Sequence, residues 1–277
     1  LGNEFVSFFW VFIFIIFFLP LLQQKWLAYA RKKFISKLER DRGSRVIVLL
    51  HRQEFLSLFG FPFFKYISIE DSEQILRAIR KTDPQMPIDL ILHTPGGLVL
   101  AATQIANALR KHPGQVNVIV PHYAMSGGTL LALAADQIIM SDTAVLGPVD
   151  PQIDRYPAVS IIKAVEQKPI SEIEDKTLIL ADQAKKAMSQ MKVLVTNLLT
   201  KHMDAEAAKN LGERLTSGEW THDYPFTFEE AQGFGLKVSS DIPEMILELM
   251  ELYPQPTRRQ ANVEYSPEER RKKSGNS

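Results

Sequence analysis

Asp89-Leu90-Ile91-Leu92-His93-Thr94-Pro95-Gly96-Gly97 and Val116-Asn117-Val118-Ile119-Val120, with its continuation Ala124-Met125-Ser126-Gly127-Gly128, decide the reading of this chain. Each begins as an apolar run, residues 89–93 and 116–120, and each leads to a glycine doublet that opens a helical pattern, 98–109 in the first case and 127–135 in the second. Outward from this pair the same alternation continues. A β-branched run at 46–50 and a helical spacing at 70–80 precede it, and a further strand pattern at 137–140 follows. Such alternation implies parallel βαβ units with right-handed crossovers, the strands buried between helical layers, and hence an α/β fold. After Pro157 the pattern is mostly helical (158–167, 178–203, 205–216, 227–233), with a short strand at 236–238, a last helix at 242–252 and no internal repeat.

The two doublets carry the chemistry. Glycines let successive backbone N–H groups converge at a helix N-terminus, a favourable place for negative charge. Ser126 stands at the second turn, between small residues that permit a sharp bend, with its hydroxyl beside the helix dipole; this is the logic of a nucleophile elbow without its usual spelling. In a parallel sheet both turns fall at the carboxyl ends of strands, the edge where ligands bind. An oxyanion formed by attack of Ser126 on a carbonyl can be held there by the N–H groups of Gly97 and Gly127, with Gly96 and Gly128 assigned to substrate binding. The plainer alternative is a serine that only caps a helix and glycines that only turn the chain. Two such turns in consecutive βα units weigh towards a site. His93 and His122 also end strands on this edge, so a Ser–His pair with Asp150 as orienter stays open. No spacing of His, Asp and Glu suggests a metal, no G-x-x-x-x-G-K-[ST] run suggests a nucleotide, and no cofactor is expected.

Composition bounds the rest. The chain has 277 residues, 45% hydrophobic and 23% charged, enough for an enzyme domain of about 200 residues with appendages. The absence of cysteine excludes disulfides, thiolate metal sites and a cysteine nucleophile. The formal net charge is zero, but eight of the 32 basic residues lie in 23–45 and six in 254–277, which leaves 46–253 with 18 basic against 26 acidic groups. A body of that sign argues against a nucleic-acid partner.

The first appendage accounts for the placement of charge. Residues 5–22 (FVSFFWVFIFIIFFLPLL) contain no charged side chain and as a helix reach about 27 Å, near the hydrocarbon thickness of a bilayer. They read as a membrane-spanning helix rather than a cleaved signal peptide, because no basic start precedes them and no small-residue cleavage pattern follows. The basic cluster after the helix, beginning at Lys25, places the body on the cytoplasmic side, with Trp26 and the Lys/Arg group at the lipid headgroups. The expected organisation is an anchor and basic juxtamembrane helix over 1–45, a folded domain over 46–253 and a disordered basic tail over 254–277.

The pairing of Thr94-Pro95-Gly96-Gly97 with Met125-Ser126-Gly127-Gly128, followed by Val145-Leu146-Gly147-Pro148-Val149-Asp150-Pro151-Gln152, resembles the crotonase-fold serine peptidases. These include the Clp proteolytic subunit and signal peptide peptidase A, and within that clan the chain is most similar to the membrane-anchored serine dehydrogenase proteinase group. The resemblance spans about 46–238. It implies a ClpP/crotonase-like α/β domain of repeated ββα and βα units behind a transmembrane helix. The implied activity is a cofactor-free serine endopeptidase acting on peptide or membrane-protein substrates, assembled as a homo-oligomer at the membrane. By position, Ser126 is the implied nucleophile and Gly97 with Gly127 the oxyanion donors. Where the Clp subunit carries its histidine this chain reads Leu146-Gly147-Pro148, so the implied base is a lysine, as in signal peptide peptidase A. Such a lysine needs apolar surroundings to shed its proton. Lys186, on a helical stripe with Asp182 and Gln190, is the first candidate; Lys185, about 100° round the helix, and Lys176 and Lys168 stay open. Two other classes share the fold: an acyl-CoA enzyme, against which the Ser126 elbow counts, and a catalytically silent membrane scaffold.

Overall fold

A computed structural model describes residues 2–51 and 65–253. The chain opens with a 41-residue helix, α1 (Gly2–Arg42). There follow β1 (Arg45–Leu50), α2 (Ile69–Arg80), β2 (Ile88–His93), α3 (Val99–Lys111), β3 (Val116–Val120), β4 (Tyr123–Ala124), α4 (Gly127–Leu133), β5 (Gln137–Met140) and β6 (Val145–Leu146). A small hairpin, β7 (Gln152–Ile153) with β8 (Tyr156–Pro157), leads into α5 (Ala158–Glu166), α6 (Asp175–Leu199), α7 (Ala205–Thr216), α8 (Phe228–Gly233), β9 (Val238–Ser239) and α9 (Glu244–Glu251).

Five strands pair in the order β1-β2-β3-β5-β9, all parallel. Every position of β2 and β3 is buried, as strands covered on both faces must be. Alternation sorts their side chains. Ile47, Leu90, Leu92, Val118, Val120, Ile138 and Met140 join the layer that contains α3, α4, α6 and α7, whereas Val46, Ile91, Ile119 and Ile139 meet Leu38 of α1 and Ile246, Leu249 and Met250 of α9.

That second layer crosses the expected boundary at residue 45. Phe34, Ile35 and Leu38 recur at helical spacing between the basic residues and dock on the sheet, so the last turns of α1 belong to the body. The dock is locked by polar contacts. Arg42, Ser44 and Asn117 all donate to the buried Asp89 carboxylate; burial opposes its charge, yet these hydrogen bonds hold its pKa below the usual carboxylate value. Arg31 donates to the Leu252 carbonyl at 2.7 Å and lies over the Tyr253 ring. Residues 5–22, expected to span the membrane, fall within α1, where most of their side chains are outside the described set. Among the described residues no helix is long and apolar enough to cross a membrane. The tail expected at 254–277 lies outside the described residues.

At the carboxyl edge of the sheet a second set of short pairings collects the functional segments. Ile67 bridges Gly97 and Thr94 bridges Ala124, both parallel; β4 pairs with β6, and Leu146 bridges Phe226 antiparallel. Five stretches far apart in the chain thereby share one edge.

Candidate active site

Ser126 is held in a conformation that L-residues avoid, with φ 50° and ψ −114°. It is one of three non-glycine residues with positive φ among those described, the others being Asp154 and Arg155 in the β7–β8 turn. Ser126 stands where a helix cap would, yet its side chain makes no capping hydrogen bond. The plain helix-cap reading therefore fails, and the strained backbone instead presents the side chain at a strand-to-helix elbow.

The glycines let the two turns touch. A Cβ on Gly96, whose φ is 107°, would lie 2.9 Å from both the Met125 carbonyl oxygen and Ser126 Cβ. The Gly97 nitrogen sits 3.4 Å from where a Cβ on Gly127 would be, so the two expected oxyanion donors are adjacent. Gly97 is bracketed by the Ile67 strand: Ile67 N–H donates to Gly96 O at 2.7 Å and Leu98 N–H to Ile67 O at 2.9 Å. In a parallel bridge the intervening residue turns its own N–H the other way, here towards the elbow. Gly127, as the first residue of α4, has an N–H with no acceptor inside the helix. Gly96 and Gly128, expected to bind substrate, have their N–H groups spent: Gly96 donates to Thr94 Oγ1 at 3.1 Å and Gly128 to Met125 O at 2.7 Å. Their role in the structure is close approach, since a Cβ on Gly128 would come within 2.7 Å of Thr94 Cγ2.

A cavity of about 380 Å³ opens over this elbow, lined by Gly97, Ser126, Gly127, Asp150 and His222, with Leu98, Val99, Leu130 and Met191 as apolar walls. Within it, Asp150, 4% exposed, accepts from His222 Nδ1 at 2.8 Å and from Gln152 Nε2 at 2.7 Å. Thr129 ties the elbow to the Asp150 segment, its hydroxyl lying 2.9 Å from the carbonyls of Ala124 and Gly147 and accepting from Gly147 N–H. His222 is delivered by the paired Leu146–Phe226 backbone bonds of 3.0 and 2.9 Å and by the packing of Trp220, Tyr224, Phe226 and Phe234 rings beside it. With Nδ1 donating to the carboxylate, Nε2 is the ring nitrogen left to take a proton.

The expected bases lie elsewhere. Lys186 is 68% exposed and paired to Asp182. It does not line the Ser126 cavity, and it lacks the apolar surroundings a lysine base requires. Lys185 and Lys168 are exposed, and Lys176, 4.0 Å from Asp154, is exposed as well. His93 is buried against the His122 and Tyr123 rings, and neither His93 nor His122 lines the cavity. His222 escaped the sequence reading because it lies in an irregular aromatic segment, 72 positions from the carboxylate it meets. Its one local signal was a histidine in a loop, where functional groups concentrate.

The profile of the ClpP-like SDH-type serine proteinases matches residues 2–277. The chain belongs to that family. It is accordingly a serine protease with an α/β ClpP-like fold. Two uncharacterised proteins of Methanocaldococcus jannaschii are 57% and 51% identical to it, over 93% and 96% of this chain and 90% and 92% of their own lengths. Among solved structures, the chain is similar to a mutant of the 1510-N membrane-bound stomatin-specific protease, at 20% identity and TM-score 0.45, covering 68% of this chain and 79% of that one. It is also similar to ClpP1 from Listeria monocytogenes, at 13% identity and TM-score 0.46, covering 75% and 98%.

Proposed function

We propose that this serine proteinase is a membrane-anchored endopeptidase in which Ser126 attacks the scissile carbonyl, His222 is the general base and Asp150 orients it. The carrying observation is that the strained serine and the His222–Asp150 pair line one cavity. In acylation the Ser126 hydroxyl proton passes to His222 Nε2 as the Oγ–C bond forms. The oxyanion is met by the Gly97 and Gly127 N–H groups, and the proton leaves with the amine. Water then enters and gives a proton to the same nitrogen as its oxygen bonds the acyl carbon, and that proton passes on to Ser126 Oγ as the acyl–Oγ bond breaks and the acid leaves. Asp150, desolvated and held from its other side by Gln152, keeps the imidazole in the required tautomer and balances the imidazolium that forms.

Labelling with a fluorophosphonate, together with turnover of a peptide substrate, tests the reading. The wild type should be modified at Ser126, and Ser126→Ala should lose both label and turnover. His222→Ala should lose about 100- to 10,000-fold in turnover, the usual cost of a missing general base, while Lys186→Ala should keep it. The reverse pattern would return the base to Lys186. The anchor reading is supported by the uncharged run 5–22 and the basic residues that follow it, and it places the body in the cytoplasm. Extraction of the protein from membranes by salt alone would refute it. Apolar residues left exposed, such as Ile170 and Ile179, support assembly into a homo-oligomer, which a monomeric mass in detergent would exclude. The acidic body leaves peptide or membrane-protein chains and lipid as the partners.

A further inference from the structure

Behind the oxyanion turn lies a second line of polar groups that the reaction scheme does not use. Asp71, in the first turn of α2, accepts from the Ser68 backbone N–H at 2.8 Å and hydroxyl at 2.7 Å in a capping box. The same carboxylate oxygen stands 3.4 Å from Nε2 of His51. His51 Nδ1 lies 2.8 Å from Thr94 Oγ1, and Thr94 Oγ1 accepts the Gly96 N–H at 3.1 Å. Thr94 is fully buried and His51 nearly so. Water therefore does not reach the hydroxyl to replace a lost partner, and an unmet polar group there is costly.

The geometry gives each contact a direction. Burial lowers the His51 pKa, with Asp71 opposing and Lys65 adding to the fall, which fits a neutral ring with Nε2–H towards Asp71 and the Nδ1 lone pair towards Thr94. The Thr94 hydroxyl then donates to His51 at 2.8 Å, with Gly96 O at 3.3 Å as its longer second acceptor, and its lone pairs face the Gly96 N–H. Gly96 O also accepts from Ile67 N–H, and Ile67 precedes the Ser68 that caps α2. Both ends of the turn that aims Gly97 N–H thus lead back to the start of α2.

We propose that Asp71, His51 and Thr94 are positioning residues that hold the 95–97 turn so that the Gly97 N–H points at the oxyanion. The catalytic consequence rests on the Ser126 reading above; the mechanical claim does not. Three variants test it. His51→Phe keeps a ring without hydrogen bonds, Thr94→Val removes the hydroxyl, and His51→Asn keeps a polar group near the Nδ1 position. Amide exchange is followed at Gly96 and Leu98, whose N–H groups are bonded at either end of the turn, with Leu90 and Ile91 in the sheet as controls. In His51→Phe and Thr94→Val the exchange of Gly96 and Leu98 should rise at least tenfold, with the controls unchanged and with His51→Asn close to wild type.

In turnover the first two variants should lose about 10- to 100-fold in kcat with KM nearly constant, a misaimed donor costing less than the 100- to 1,000-fold of a deleted one. His51→Asn should recover most of the loss. Unchanged exchange at Gly96 and Leu98, or exchange that rises equally in the sheet, would overturn the proposal. Should His51→Phe fail to fold, Thr94→Val and His51→Asn carry the same comparison. A wild type that neither labels at Ser126 nor cleaves peptide would sink the mechanism, and the exchange arm would still decide the positioning claim.

Discussion

Ser126 occupies a backbone region that costs an L-residue on the order of 1–3 kcal/mol, and it does so without capping the helix it precedes. The strain belongs to the Cβ, so removing the hydroxyl alone does not relieve it. Ser126→Gly should therefore be more stable than Ser126→Ala by about 1 kcal/mol in chemical denaturation, with both inactive, after allowance for glycine's extra unfolded-state freedom. A Ser126→Gly variant less stable than Ser126→Ala by the full glycine penalty of about 0.5–1 kcal/mol would mean that the elbow stores no strain. The position of this residue was legible because everything that makes it a site is local: a strand, small neighbours and a glycine doublet. The partner nitrogen was not. His222 reaches Asp150 through a bridge between Leu146 and Phe226, and no spacing rule connects residues so far apart. The lysine preferred in its place failed on helical phase: Lys186 shares its stripe with Asp182, as the spacing implied, but that stripe faces solvent.

Among the elements, α1 differs most from expectation. Counting charges picks out its basic residues, which read as a solvated juxtamembrane helix, whereas Phe34, Ile35 and Leu38 lie between them and complete one layer of the core. The docking hinges on Asp89, whose carboxylate collects donors from Arg42 at the end of α1, Ser44 and Asn117. Asp89→Ala leaves those donors facing a buried gap, and breaking such a pair costs about 3–5 kcal/mol. The expected result is a drop of that size in unfolding free energy, together with new protease cleavage in the segment that joins α1 to β1. A loss below about 1 kcal/mol would show that apolar packing alone seats the helix. The parallel sheet itself was legible throughout, since each strand buried on both faces carries its own apolar run.

For the whole molecule, pH acts through buried groups remote from Ser126. His202 donates or accepts at both ring nitrogens, to Leu133 O and from Lys237 N–H, and burial, helped by Lys237 and Lys201, pushes its pKa down to about 4. The folded state thus binds fewer protons than the unfolded chain below the ordinary imidazole value near 6.5. Stability is complete above that pH and is lost as pH falls from about 6.5 to about 4, by on the order of 3 kcal/mol. His51, lowered by burial despite Asp71, adds in the same direction. Asp89 and Asp136 are also lowered, so their contributions fall away only further into acid. Urea midpoints taken across this range should decline towards acid, and the decline should be shallower in His202→Asn; parallel profiles for the two proteins would contradict this.

With His222 as the proposed base, the Leu146–Phe226 bridge would also set when, during synthesis, the enzyme becomes active. A nascent chain that has emerged through α7 already has Ser126, the 95–97 turn and the strands from β1 to β5, but His222 has yet to emerge from the ribosome. On the proposed mechanism translation order then acts as a safeguard, because the last group of the triad to be made is the one that activates the first. Ribosome-stalled chains in which α7 has just cleared the exit tunnel should react with fluorophosphonate far more slowly than chains in which Ser239 has also cleared it, and equal rates would mean that the serine arms itself without His222.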